Sequence, residues 1–289
     1  MSQVSIVGAH DSKLGAGAPR FRDVLVHLDS GPRVVERLDL ALALARRHRA
    51  RVTALFAESE TLGRSLVGRR DPARIARAAD EARALFEARA AGAGVTARFW
   101  QSEPGEHGDV VGAAVVCCRY VDLAVFGQQR GDEAPVPQGL VERVVTEAGR
   151  PVLVVPSVGH FPDVGRRVLL AWTGSREATR VLHDALPLLA AADEVLVLSL
   201  QLPGSGRPGG LPPVDVVDHL RAHGISARYD ATILGPGEQA SDAVLNRASD
   251  ELMDLTLMGA YGMGGALLRR PDLTRTVLDA MTSPLLLSA

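Results

Sequence analysis

Short apolar runs rich in Val, Leu and Ile recur along the chain and alternate with longer segments of helical period. Buried parallel strands are apolar on both faces and join through crossover helices, so this alternation predicts an α/β protein. Strands are expected at 24–28, 51–57, 96–101, 122–126 and 152–155, then at 168–172, 195–200, 227–234, 255–258 and 285–287. Helices fall between them. The clearest helix start is Asp71, whose side chain can cap the first turn while Pro72 takes the first helical position, where no N–H is needed. "LDLALALARRHRA" and "LHDALPLLAA" carry apolar residues at helical spacing, which core packing explains. "LPGSGRPGGLPP", at 202–213, reads as a loop or flap.

The pattern occurs twice. "RDVLVHLDSGPRVVERLDLALALARRHRARVTALFAE" from Arg22 has the same order of strand, small polar turn, helix and strand as "RRVLLAWTGSREATRVLHDALPLLAAADEVLVLSLQ" from Arg166. "PGE" at Pro104 matches "PGE" at Pro236, "DLAVFG" at Asp122 matches "DLTLMG" at Asp254, and "RPVLVVP" from Arg150 matches "SPLLLSA" from Ser283. A self-repeat settles organisation before any motif does. The division expected is a leader at 1–20, a first domain at 21–157 and a second at 158–289, the boundary running through "SVGHFPDVG". In such sheets the ligand crevice lies beyond the carboxyl ends of the strands, where strand order reverses. That rule singles out the turns after the first strand, Asp29 and Ser30 or Thr173, Gly174 and Ser175, and those after the fourth, at Gly127 and Gly259.

Composition narrows the chemistry. The 289 residues suit two domains of about 100–150 residues. The hydrophobic fraction of 46%, with no apolar run of membrane-spanning length, leads us to expect a soluble protein without a membrane partner. The first twenty residues lack the basic start and apolar run of a secretion signal, so the cytoplasm is expected. A net charge of −2 gives no general reason for nucleic-acid binding. Cys117 and Cys118 are neighbours in a helical stretch and cannot readily bridge. Lys13 is the only lysine, which removes the Walker-type loop, the Schiff-base enzyme and the kinase together. His219 and His223 have the i, i+4 spacing of a zinc pair, but "HLRAH" lacks the glutamate of the metalloprotease motif and no metal site is expected. His183 and Asp184 read as ordinary helix residues, and His27 as a satisfied core histidine.

"VLVHLDS", "GRPVLVVP", "AWTGSREA", "MGAYGMGG" and "TRTVL", in this order and spacing, resemble the universal stress protein family in its tandem form. The resemblance implies two flavodoxin-like (Rossmann-like) five-stranded parallel sheets, paired as a pseudo-dimer through their last strands. It also implies, for some members, ATP held by an acidic residue after the first strand and a Gly-x2-Gly-x9-Gly-Ser/Thr loop. Glycines let backbone N–H groups approach phosphate, and the following helix N-terminus favours its charge. Gly259 and Gly262 match the first two glycines of the second copy, but Asp272 and Leu273 stand at the third position, Thr274 being the nearest hydroxyl. Thr173 stands where the acid is expected, followed by Gly174 and Ser175. The first copy keeps Asp29, Ser30, Gly127 and Gly139, but Arg130 replaces the second glycine and Pro135 and Pro137 stiffen the segment.

No nucleophile elbow or paired-carboxylate motif emerges, so no enzyme is expected. The expectation is a regulatory or protective binding protein with weak ATP, accompanied by magnesium, in the second domain. The alternatives are a dimerising interaction module with degenerate sites, engaging an unknown protein partner or a second copy of itself, and a slow ATPase.

Overall fold

The computed structural model describes residues 17–59, 71–102, 109–129, 135–201, 214–260 and 271–289, side chains at 214–215 and 271–272 excepted. The ten apolar runs form ten strands, each within one residue of its expected ends. The first copy contains β1 (Asp23–Leu28), α1 (Val34–His48), β2 (Arg51–Phe56), α2 (Pro72–Ala93), β3 (Ala97–Gln101), α3 (Val110–Cys118), β4 (Leu123–Gly127), α4 (Leu140–Ala148) and β5 (Val152–Val155). The second contains β6 (Arg167–Ala171), α5 (Arg176–Asp184), α6 (Leu186–Leu189), β7 (Glu194–Gln201), α7 (Val214–Ala222), β8 (Ala227–Ile233), α8 (Ala240–Asp250), β9 (Leu255–Gly259), α9 (Pro271–Ala280) and β10 (Leu285–Ser288). Asp71 caps α2 as expected, accepting from Ala73 N at 2.9 Å. Pro187 splits the predicted helix of the second copy into α5 and α6, because proline has no N–H to continue the ladder.

All ten strands share one sheet in the order β3-β2-β1-β4-β5-β10-β9-β6-β7-β8. Within each copy the pairing is parallel, and the first strand lies between the second and the fourth. The strand order therefore reverses between β1 and β4 and again between β6 and β9, which creates one switch-point crevice per copy. The two copies meet through β5 and β10, antiparallel, with Leu286 opposite Leu153. Both strands are wholly buried, so each copy hides an apolar edge that would otherwise invite aggregation. One core layer packs α1, α2, α5, α6 and α7 on one face of the sheet. The other packs α3, α4, α8 and α9 on the opposite face. Each layer contains residues of both copies and runs across the seam.

Polar contacts reinforce the junction. Gln128, just after β4, donates from Nε2 to the carbonyls of Leu278 (2.7 Å) and Asp279 (3.1 Å) at the end of α9. Its Oε1 accepts from Ser157 N at 2.8 Å, where the connection to the second copy begins. That connection runs along α1. Arg33 near the start of the helix donates to Gly159 O, while Arg47 near its end donates to Asp163 (2.8 Å) and Val164 O (2.9 Å).

Among the described residues of the first copy, two histidines are buried. His27 in β1 stacks on Phe126 and lies 2.9 Å from Ala57 O through Nε2, while His48 at the end of α1 packs against Phe21. Burial is the main cause that lowers both, His27 to about 4 and His48 to about 3, so both are neutral in the folded protein.

The seam and these histidines each give a test. Leu286→Ala should cost about 2–5 kcal/mol in urea denaturation while leaving one cooperative transition, because both core layers cross the seam. Two separated transitions would show that the copies fold independently. The folded histidine values lie below the unfolded value of about 6.5, so the unfolded chain takes up protons first as pH falls. Stability is then complete above about pH 6.5 and should drop by about 2 kcal/mol per histidine by pH 5. Thermal melting across pH 5–8 should show this fall, and His48→Phe should reduce it by roughly half. A flat profile would contradict buried, neutral histidines.

Candidate functional site

The same turn is built differently in the two crevices. After β1, Asp29 is 7% exposed and folds back on its own turn, with Oδ1 accepting from Gly31 N at 2.8 Å. The neighbouring amide, Ser30 N, donates to Glu58. The backbone donors that such a turn would offer an anion are thus taken by the protein's own carboxylates.

The charge of Asp29 is balanced from α1. Arg37 is 5% exposed, and its Nη2 lies 3.0 Å from Asp29 Oδ2, with His27 Nδ1 at 3.6 Å from the same oxygen. Burial pushes the Asp29 carboxyl up, but the Arg37 guanidinium and the Gly31 N–H outweigh it and hold it below the usual carboxylate range. The guanidinium lies against Gly127 at the end of β4, where any Cβ would overlap Arg37 Nη1. Gly127 therefore makes room for a side chain of the same chain. Pro135 stands over the turn, and its segment is held by Ser59 N donating to Pro135 O (2.8 Å) and Gln129 Nε2 donating to Pro137 O (2.5 Å). Gly139 follows at the start of α4 with φ +76, a left-handed conformation that glycine adopts without strain. Among the described residues of the crevice between β1 and β4, the Asp29 carboxylate, the Ser30 and Gly31 amides and the space beside Gly127 are all engaged by other groups of the chain.

In the second copy the turn after β6 carries no charge itself, and the nearest carboxylate is that of Glu177 in the first turn of α5, 7% exposed and 3.3 Å from Arg176 Nε. Thr173 Oγ1 accepts from Ser175 N at 3.3 Å, Gly174 is left-handed with φ +69, and Ser175 caps α5 by accepting from Ala178 N at 3.1 Å. Thr173 and Ser175 are half-buried and Gly174 is exposed, so the turn faces solvent beyond the strand ends. In the repeat that pairs Arg22 with Arg166, Arg37 of α1 corresponds to Val181 of α5, an apolar residue that is fully buried. Gly259 serves a different neighbour from Gly127. A Cβ there would lie 2.5 Å from Glu177 C and 2.6 Å from Ala178 N, so the glycine lets the first turn of α5 press directly on β9.

The structure brings Thr173, Gly174 and Ser175 to the same switch point as Gly259. Thr274, on α9, is only 4% exposed and is turned into the protein. Gly262, Gly264, Gly265 and Arg130 lie outside the described residues, as does the side chain of Asp272. The residue that sequence reasoning missed is Arg37. Its signal was present: Arg37, Ala41 and Leu44 share one buried helical stripe, and an arginine within an apolar stripe requires a buried partner.

Among the described residues no helix is long and apolar enough to cross a membrane. No protein-family model matches the chain, and no curated protein matches it. Solved structures do. A universal stress protein from Archaeoglobus fulgidus DSM 4304 aligns over 92% of this chain and 95% of its own, with 16% identity and a TM-score of 0.67. The cytoplasmic domain of a prokaryotic cation chloride cotransporter aligns over 92% of this chain and 94% of its own, with 10% identity and a TM-score of 0.50. A universal stress protein from Archaeoglobus fulgidus in complex with dAMP aligns over 47% of this chain and 98% of its own, with 17% identity and a TM-score of 0.35. Across nearly its whole length, the chain has the α/β fold of the first of these universal stress protein structures.

Proposed function

We propose that this chain is a tandem universal stress protein of the cytoplasm that acts by binding, with one adenine-nucleotide site in the second copy and none in the first. The observation that carries this reading is the Arg37–Asp29 pair against Gly127, which stands in the first crevice, while the corresponding turn of the second copy carries no charge itself and faces solvent. The fold supplies the rest of the support: the turn after β6 and the end of β9 flank a switch point, where such sheets bind ligands.

In this reading Thr173, Gly174 and Ser175 line the nucleoside side, and Gly259 and, by its match to the family loop, Gly262 serve the phosphates. Thr173, Gly174 and Ser175 offer hydroxyls and amides and no carboxylate, so magnesium would arrive on the phosphates of ATP instead of resting on a ready protein site. In this reading nucleotide is bound without turnover, because the turn itself carries no base and the neighbouring Glu177 carboxylate is buried and paired with Arg176. The first crevice, its donors engaged by the chain itself, also favours a second role for that copy, as a rigid partner in assembly.

Native mass spectrometry of the full chain titrated with ATP and magnesium should show one nucleotide per chain. Gly262→Val should abolish it; this is the better variant, since Gly259 is needed by packing. Thr173→Asp, which supplies an acceptor for ribose hydroxyls, should tighten binding about tenfold. A bare chain at millimolar ATP would overturn the nucleotide reading, and two nucleotides per chain would show that the first crevice opens. Arg37→Met should lower stability by about 3–5 kcal/mol at pH 7, because it leaves the Asp29 carboxylate buried without its counter-charge. Chemical denaturation measures this, and an unchanged midpoint would contradict the pairing.

A further inference from the structure

We propose that His183, His219 and His223 form a binding site for a divalent late transition metal ion, with zinc the ion it best fits. The site joins two helices. His183 stands in the last turn of α5, His219 in the last turn of α7, and His223 just beyond it, where its N–H still reaches back to His219 O at 3.3 Å. The i, i+4 spacing puts His219 and His223 on one face of their helix, and the packing of α5 supplies the third ring.

The spacing of His219 from each of the other two rings matches that of imidazoles on one ion. His219 is the ring the other two share, with centroids 5.1 Å from His183 and 4.8 Å from His223. Three imidazoles bound tetrahedrally to zinc, each through one nitrogen at about 2.0–2.1 Å, have centroids about 5 Å apart. The central ring also has an unmet need: Nε2 of His219 is buried and has no hydrogen-bond partner. A buried imidazole nitrogen left unpaired is costly, and a metal ion is one of the few partners that satisfies it. Nearby carboxylates are engaged elsewhere, Asp184 by Arg180 at 2.8 Å and Asp218 by Arg221, so the donor set is three nitrogens.

Among the described residues no group of three His, Cys, Asp or Glu side chains is already poised for a metal. The three rings stand edge to face, at 68° and 72°. His183 and His223 are both exposed, so each can turn about its side-chain bonds to aim a nitrogen at the common point without disturbing the core. Imidazole donors select zinc, copper, nickel and cobalt over magnesium and calcium. Three protein ligands leave a fourth position for water. A bound ion would fasten the end of α5 to the end of α7. It would lie at the opposite end of α5 from the Thr173 turn, so this proposal stands apart from the nucleotide reading.

The test uses the full chain carrying no histidine tag, stripped with a chelator and dialysed. Titration with Co2+ followed by visible absorption should give the intense bands of a tetrahedral site at one ion per chain, and Zn2+ should displace it. His219→Ala should abolish the bands, and His183→Phe, which leaves only the i, i+4 pair, should weaken binding roughly tenfold or more. His160→Ala, outside the cluster, should bind like the parent. If His219→Ala fails to fold, His223→Gln, a change at an exposed position, should lose the bands in its place. Absence of the cobalt bands, or binding indifferent to His183 and His223, would overturn the proposal.

Discussion

The antiparallel pairing of β5 with β10 is the contact on which the rest of this structure depends. Each copy, taken alone, would end in a short strand of Val and Leu with one edge unpaired, the arrangement most prone to aggregate. Pairing the two edges within one chain removes that hazard and makes two five-stranded sheets into one of ten. The cores on both faces then extend across the seam, and Gln128 fixes the approach by bridging the end of α9 to the start of the interdomain connection. The connection is itself clipped along α1 by Arg33 and Arg47, so the relative placement of the copies is set by strand pairing, core and linker together.

Duplication gives two crevices, and electrostatics makes them unequal. A carboxylate as buried as Asp29 needs a counter-charge, and Arg37 reaches it only because Gly127 has no side chain in the way. Once in place, the pair engages the carboxylate after β1 and the space beside Gly127 at the end of β4. The second copy has Thr173 in place of Asp29 and the apolar Val181 in place of Arg37, so that buried pair has no counterpart there. The same glycine at the end of the fourth strand is thereby put to two uses, accommodating a guanidinium at Gly127 and a helix turn at Gly259.

Much of this was readable along the chain. The strands, the Asp71 cap and the joining of the copies through their last strands were all expected, and the structure has them. The interruption between α5 and α6 was not foreseen, although Pro187 marks it, because the apolar spacing of that segment continues through the proline. The candidate site was legible only in part. Gly127, Gly259 and the turns at Asp29 and Thr173 could be assigned to switch points from their places after strands. What each glycine packs against could not, since Arg37 and Glu177 come from helices whose depth over the sheet is decided by the whole core.

The sequence by itself determined the two copies, the alternation of strand and helix, and the i, i+4 pair at His219 and His223. These are properties of spacing, and backbone geometry turns spacing directly into faces and edges. Only the tertiary structure decided that Arg37 pairs with Asp29 in the first crevice and that His183 joins the pair on α7. Both are contacts between side chains on separate elements. They depend on how two helices settle against one sheet, which periodicity within either segment does not specify.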